Sequence, residues 1–216
     1  VGQTREPIMQ ALQARITGAI ASSFTGNIAN TGPGGVAQIS AIADTSKLFA
    51  GLPAVGGTVP PGTLIQSIDS GSQITLTQPV GTPADGVTFL SGFQTVSRRV
   101  KSWNQDLAQP ALFLTNVDDE RQVREGFPPK RTMIVELRIY TDVAKNPDQA
   151  AGPVLNNFLD AIEAALQPQP GQEQMLNRVT LGGLCQHCWI SGKSEFYPGD
   201  LGTQAKLLIP VSILIP

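Results

Sequence analysis

The chain has 216 residues, a net charge of −2 and an apolar fraction of 41%. That suffices for one large domain or two small ones, and it excludes broad electrostatic attraction to nucleic acid or anionic lipid. No apolar run approaches the ~20 residues that cross a bilayer, and two cysteines three positions apart make no disulfide framework. Val1–Glu6 lacks the basic-then-apolar pattern of a signal peptide. The expected location is therefore the cytosol or a particle assembled there.

Pro7 to Ser22 reads as a helix, because Ile8, Leu12, Ile16 and Ile20 recur every four residues as one apolar stripe. Pro7 suits a first turn, and Gly18 weakens the last. So short a helix is unstable alone, and the stripe must dock on something.

The chain then changes character. Residues 24–92 hold only four charged side chains, Asp44, Lys47, Asp69 and Asp85, together with 12 of the 22 glycines. Val36–Ile42 alternates as a strand. Asp44-Thr45-Ser46 and Pro60-Pro61-Gly62-Thr63 are turns. Leu64–Ile68 and Gln73–Thr77 read as a hairpin across a four-residue loop, Asp69–Ser72. Val87–Leu90 closes the segment. The strand spacing of Ile65, Ile68, Ile74, Leu76, Val87 and Phe89 favours an inserted all-β module over a flexible linker.

Beyond Phe93, Thr95–Ser102 and Ala111–Asn116 read as strands, and the charged stretch Asp118–Lys130 as a solvated loop. Arg131–Val143 is the clearest strand. Met133, Val135, Leu137 and Ile139 mark one face, while Ile134, Glu136, Arg138 and Tyr140 mark the other. That pattern suits an antiparallel sheet with one wet face. A second helix spans about Gln149 to Leu166, with Asp148 as N-cap and Pro168-Gln169-Pro170-Gly171 as its stop. Met175–Val179 reads as a short helical turn or an edge strand. Leu184–Ser191 and Ala205–Ile215 complete the strands; the last is apolar on both faces, so it is central or covered by a neighbour. The predicted fold class is α+β: a mainly antiparallel sheet with helices packed on one face, plus an inserted small all-β domain. The divisions are 1–23 with 93–216 for the host, and 24–92 for the insert.

Catalytic signals are sparse. Cys185-Gln186-His187-Cys188 has only one C-x-x-C and the chain's single histidine, too few ligands for a structural zinc site. In a strand, cysteines three apart point to opposite faces. Two small structural thiols are the preferred reading over metal or redox chemistry. No nucleophile-elbow serine, Walker A loop or G-x-G-x-x-G is present. A solvated loop is preferred over a cation site at Asp118-Asp119-Glu120. Arg98, Arg99 and Lys101 form one basic group, and Arg121, Arg124, Lys130 and Arg131 another. Pairing with nearby acids, including pairing across a subunit interface, is preferred to nucleic-acid binding.

An amphipathic first helix is followed by Phe93-Gln94-Thr95-Val96, then by Leu-Ala-Gln-Pro-Ala-Leu-Phe-Leu at 107–114. Val-Asp-Asp-Glu at 117–120 and Met-Ile-Val-Glu-Leu-Arg-Ile-Tyr at 133–140 come next. The helix Val154–Leu166 and an apolar terminal strand complete the order. This succession, over about two thirds of the chain, resembles the tail terminator (tail completion) proteins of long-tailed bacteriophages. The run at 59–77 resembles small Gly/Thr-rich β modules spliced into phage structural proteins; the usual compact terminator lacks such an insert.

The resemblance implies a virion protein, not an enzyme, with no cofactor. It implies a homo-oligomeric, six-membered ring on the head-proximal end of the tail tube. Such a ring ends tube polymerisation and meets a neck or head-completion protein. DNA passes through its channel without sequence-specific binding, and no membrane is involved. Arg98, Lys101, Arg121, Arg124, Arg131, Glu136 and Arg138 are the candidate channel or inter-subunit residues. The alternatives are another neck or baseplate ring (a head–tail adaptor or tube-like protein), a small enzyme using Cys185, His187 and Cys188, or a binding module whose insert contacts a host surface or glycan.

Overall fold

A computed structural model describes residues 5–20, 23–100, 108–123, 125–126, 129–142, 151–199 and 204–215. Helix α1 (Arg5–Ala19) carries the predicted stripe: Ile8, Leu12, Ile16 and Ile20 are all buried.

Five strands follow: β1 (Ser23–Ala29), β2 (Gln38–Ser40), β3 (Ile65–Ser70), β4 (Gln73–Leu76) and β5 (Ala84–Leu90). They form one sheet in the order β3-β4-β2-β1-β5. Ser23 lies opposite Leu90, so the two ends of the excursion meet. β1 escapes the sequence pattern because a glycine takes one of its inward positions. Phe24 and Ile28 point into the core, and a Cβ on Gly26 between them would lie 2.5 Å from Ile39 Cγ2. Glycine is there for close approach, not for a turn. The β3–β4 connection is Gly71-Ser72, shorter than the expected four-residue loop, because Asp69 and Ser70 still belong to the ladder.

The remaining strands are β6 (Thr95–Ser97), β7 (Ala111–Gln122), β8 (Lys130–Asp142), β9 (His187–Ile190), β10 (Glu195–Tyr197) and β11 (Gln204–Ile215). Their order is β10-β11-β8-β7-β6, with β9 also on β11. Every pair is antiparallel except β6–β7. Three expectations are corrected here. The loop expected from Asp118 begins only after Gln122: β7 continues through Asp118–Gln122, paired with β8 from Ile134 back to Lys130. A charged sequence stays extended there because its partner strand supplies the backbone hydrogen bonds. The strand expected over 95–102 ends at Ser97, and that expected from Leu184 starts at His187, after a turn holding Gly182 and Gly183 at positive φ. β11 is central, flanked by β8 on one side and by β9 and β10 on the other; its helix-side residues are buried, and Leu208, Pro210 and Leu214 on the other face are half-buried.

Met133, Val135, Leu137 and Ile139 of β8, with Leu207, Ile209, Val211 and Ile213 of β11, are all fully buried. Helix α2 (Ala151–Ala165) packs on this side against α1 and β11, followed by the short α3 (Gln172–Leu176). The fold is thus α+β: two mostly antiparallel sheets and, among the described residues, three helices.

The two sheets share one apolar cluster. Phe158 of α2 meets Phe49 edge-on at 5.0 Å and stacks on Phe93 at 5.3 Å. Asn157 Nδ2 donates to Ala50 O at 3.2 Å. Gly51, at φ 96°, lies against Val154, where a Cβ would come within 2.6 Å. The 23–90 segment is therefore seated on α2 rather than hung from it.

Candidate channel and subunit surface

Side chains alternate across β8, so Glu136 and Arg138 share the sheet face turned away from the helices. They form an ion pair with each other. Phe113 of β7 and Leu208 of β11 flank Arg138, and Thr115 and Pro210 flank Glu136. Thr115 Oγ1 donates to the Glu136 carbonyl at 3.3 Å. Further along, Tyr140 meets Phe113 edge-on at 5.6 Å. Lys206 sits 4.3 Å above the Tyr197 ring, whose hydroxyl donates to Glu195 at 2.6 Å. That hydrogen bond, and the Glu195 charge, push the Tyr197 hydroxyl above its ordinary pKa. At the β9 end, His187 and Trp189 stack at 5.0 Å. This face is half-buried along β8 but fully buried at Ala111 and Phe113 of β7, with charges of both signs set among apolar side chains.

The other candidates lie elsewhere. Arg121 and Arg131 face one another where β7 and β8 leave the core. Arg131 reaches Asp119 at 3.4 Å, and Arg5 from the start of α1 binds the same carboxylate. The Arg5 hydrogen bond, working against burial and helped by Arg131, holds Asp119 below the usual carboxylate range. Arg98 pairs with Glu6 and ties the end of β6 to the first turn of α1. Glu6 is held low by that hydrogen bond. Lys101 and Arg124 lie outside the described residues. The candidates thus form three separate places, not one cluster. Of the pairings expected between the two basic groups and nearby acids, Asp119 with Arg131 is present, whereas Glu136 pairs with Arg138 and Arg98 pairs with Glu6; Glu6 and Arg5 are partners that a strand-by-strand reading has no means to supply.

The chain matches no known family model and no curated protein sequence.

The Cys185–Cys188 segment is structural in its geometry. Cys185 and Cys188 are both free and both buried, whereas cysteines three apart in a strand would face opposite ways. Cys185 sits in the turn before β9, so strand alternation does not apply to it. Its thiol lies 3.7 Å from the Val179 carbonyl, which also accepts from Cys188 N at 2.9 Å. His187 Nδ1 accepts from Val179 N at 3.2 Å. Burial, reinforced by Glu173, pushes the Cys185 thiol up to about 11; burial pushes Cys188 up as well.

Sequence reasoning missed one buried polar hub. Arg15 of α1 donates to the Ala165 and Gln167 carbonyls, each at 2.7 Å, satisfying the end of α2. It also pairs with Glu173 of α3 at 2.9 Å. Glu173 accepts from Gln169 N, Thr180 N and Leu181 N as well. Burial would raise this carboxyl, but Arg15 and the backbone donors outweigh burial and hold it at about 2. The only sequence signal was an arginine on the flank of the α1 stripe, a position that usually faces water.

Proposed function

We propose that this chain is a structural virion protein whose copies close into a ring on the head-proximal end of a phage tail tube. The ring ends tube polymerisation and joins the tail to the neck or head. One observation carries the reading. The six-stranded sheet has its described helices on one face only, and its other face presents the Glu136–Arg138 pair half-buried between Leu208 and Pro210 of β11 and the fully buried Phe113 of β7. A paired, mixed-charge surface suits a wall past which DNA slides without being held, because phosphates find no uncompensated cationic stripe. The arm formed by the ends of β7 and β8, with Val117 and Val123 exposed, extends the surface available to a neighbouring subunit. Heterologous contacts of this kind close into rings when the rotation between copies allows.

The test is a tail-length measurement. Particles assembled without this chain are expected to carry tubes of irregular, excessive length that fail to join heads, and adding the purified chain during assembly restores a fixed length. Normal tails joined to heads in its absence would contradict the reading.

A further inference from the structure

The two outer strands of the six-stranded sheet lie at the same level. Following the register across the sheet, Val96 of β6 pairs with Leu112, Leu112 with Ile139, Ile139 with Leu207, and Leu207 with Phe196 of β10. The rows on either side run from Thr95 to Tyr197 and from Ser97 to Glu195. β6 and β10 are each three residues long, and each is an outer strand among the described residues. Their directions are opposed. β6 runs with β7 and β11, whereas β10 runs with β8.

We infer that β6 of one copy pairs antiparallel with β10 of the next, so that the sheet continues across the subunit boundary; this rests on the ring reading. The occupant of each edge is a second copy of this chain. Exposed strand edges template such pairing through their free backbone groups. The side chains match at the level the rows define. Phe196 points to the helix-bearing side yet is 40% exposed, and Val96, half-buried on the same side, is the residue set to cover it. On the other side, Ser97 comes level with Glu195 of the next copy, whose carboxylate already accepts from Tyr197. β6 and β10 differ in sequence and sit on opposite edges, so the contact is head-to-tail, the type that generates closed rings.

The inference is tested with the double variant Val96→Cys/Phe196→Cys. Directly opposed residues of an antiparallel pair have Cα atoms about 4.5–5.5 Å apart, within disulfide reach. The native thiols, Cys185 and Cys188, are buried and contribute little background. Mild oxidation of the assembled protein is expected to give covalent multimers up to the full ring on a non-reducing gel, with neither single variant doing so. Ser97→Cys/Glu195→Cys serves as a second pair should the first disturb packing, and it is expected to cross-link in the same way. Rings by native mass with no cross-link from either pair would overturn the edge pairing and leave the ring reading standing. A chain that stays monomeric at every concentration and on tail tubes would overturn both.

Discussion

Glu173 shows how one carboxylate organises a junction. It accepts from an arginine and three backbone amides, and its partner arginine closes the end of α2. Its folded-state pKa of about 2 lies below the ordinary 4.5, so its contribution to stability is complete above 4.5. That contribution is lost as pH falls from 4.5 toward 2. By linkage the full contribution is on the order of 3 kcal/mol. Wild-type urea midpoints are expected to drop through that window. Glu173→Gln should be destabilised at neutral pH, because Arg15 is left largely buried without its counter-charge, and should lose less stability than wild type across the window, where other carboxylates held low, Asp119 and Glu6 among them, still titrate. A variant that kept the wild-type acid transition would contradict this assignment. The two thiols make a second test at the same scale. Both are buried with raised pKa values, so neither forms thiolate near neutral pH. Alkylation of the native chain at pH 7.5 is expected to be far slower than in urea, where both react. A fast-reacting native thiol would return the Cys185–Cys188 segment to chemistry.

At the scale of elements, α2 joins the two sheets. Phe158 is fully buried between Phe49 and Phe93, so Phe158→Ala removes the packing on which the 23–90 segment is seated. The expected loss is about 3–5 kcal/mol, read as a shifted urea midpoint with earlier proteolytic cleavage in residues 43–62. A loss below 1 kcal/mol would mean that the segment stands alone. Much of this architecture was legible in the sequence. The stripes of α1 and α2 and the alternation of β8 follow directly from apolar spacing. β1 was not legible, since Gly26 replaces an inward side chain where Ile39 crowds it. The outer half of β7 was hidden because Asp118–Gln122 is charged on both faces, and only its pairing with β8 holds it extended. The start of β9 was misplaced because Leu184 and Cys185 continue the apolar run through a turn. The candidate residues were legible as charges but only partly as places: Arg98 and Arg131 answer to partners supplied by the fold, whereas Glu136 and Arg138 already share a face in the alternation of β8.

At the scale of the whole molecule, residues 23–90 form a sheet of their own whose ends meet at Ser23 and Leu90, yet their apolar residues join a single core with the helices. Deleting that segment would expose Phe158 and Val154 as well as remove a module. Point changes on its outer surface are therefore the cleaner probe of its role. The second sheet presents one face to the helices and the other, with its two outer strands, to whatever surrounds it. The ring account assigns that face to the channel and those edges to neighbouring copies. Electron microscopy of tail tubes mixed with the purified, labelled chain tests this most directly. The account predicts one closed ring of subunits on a single end of each tube, with tube growth halted there. Label scattered along the tubes, on both ends, or absent from tubes altogether would contradict it.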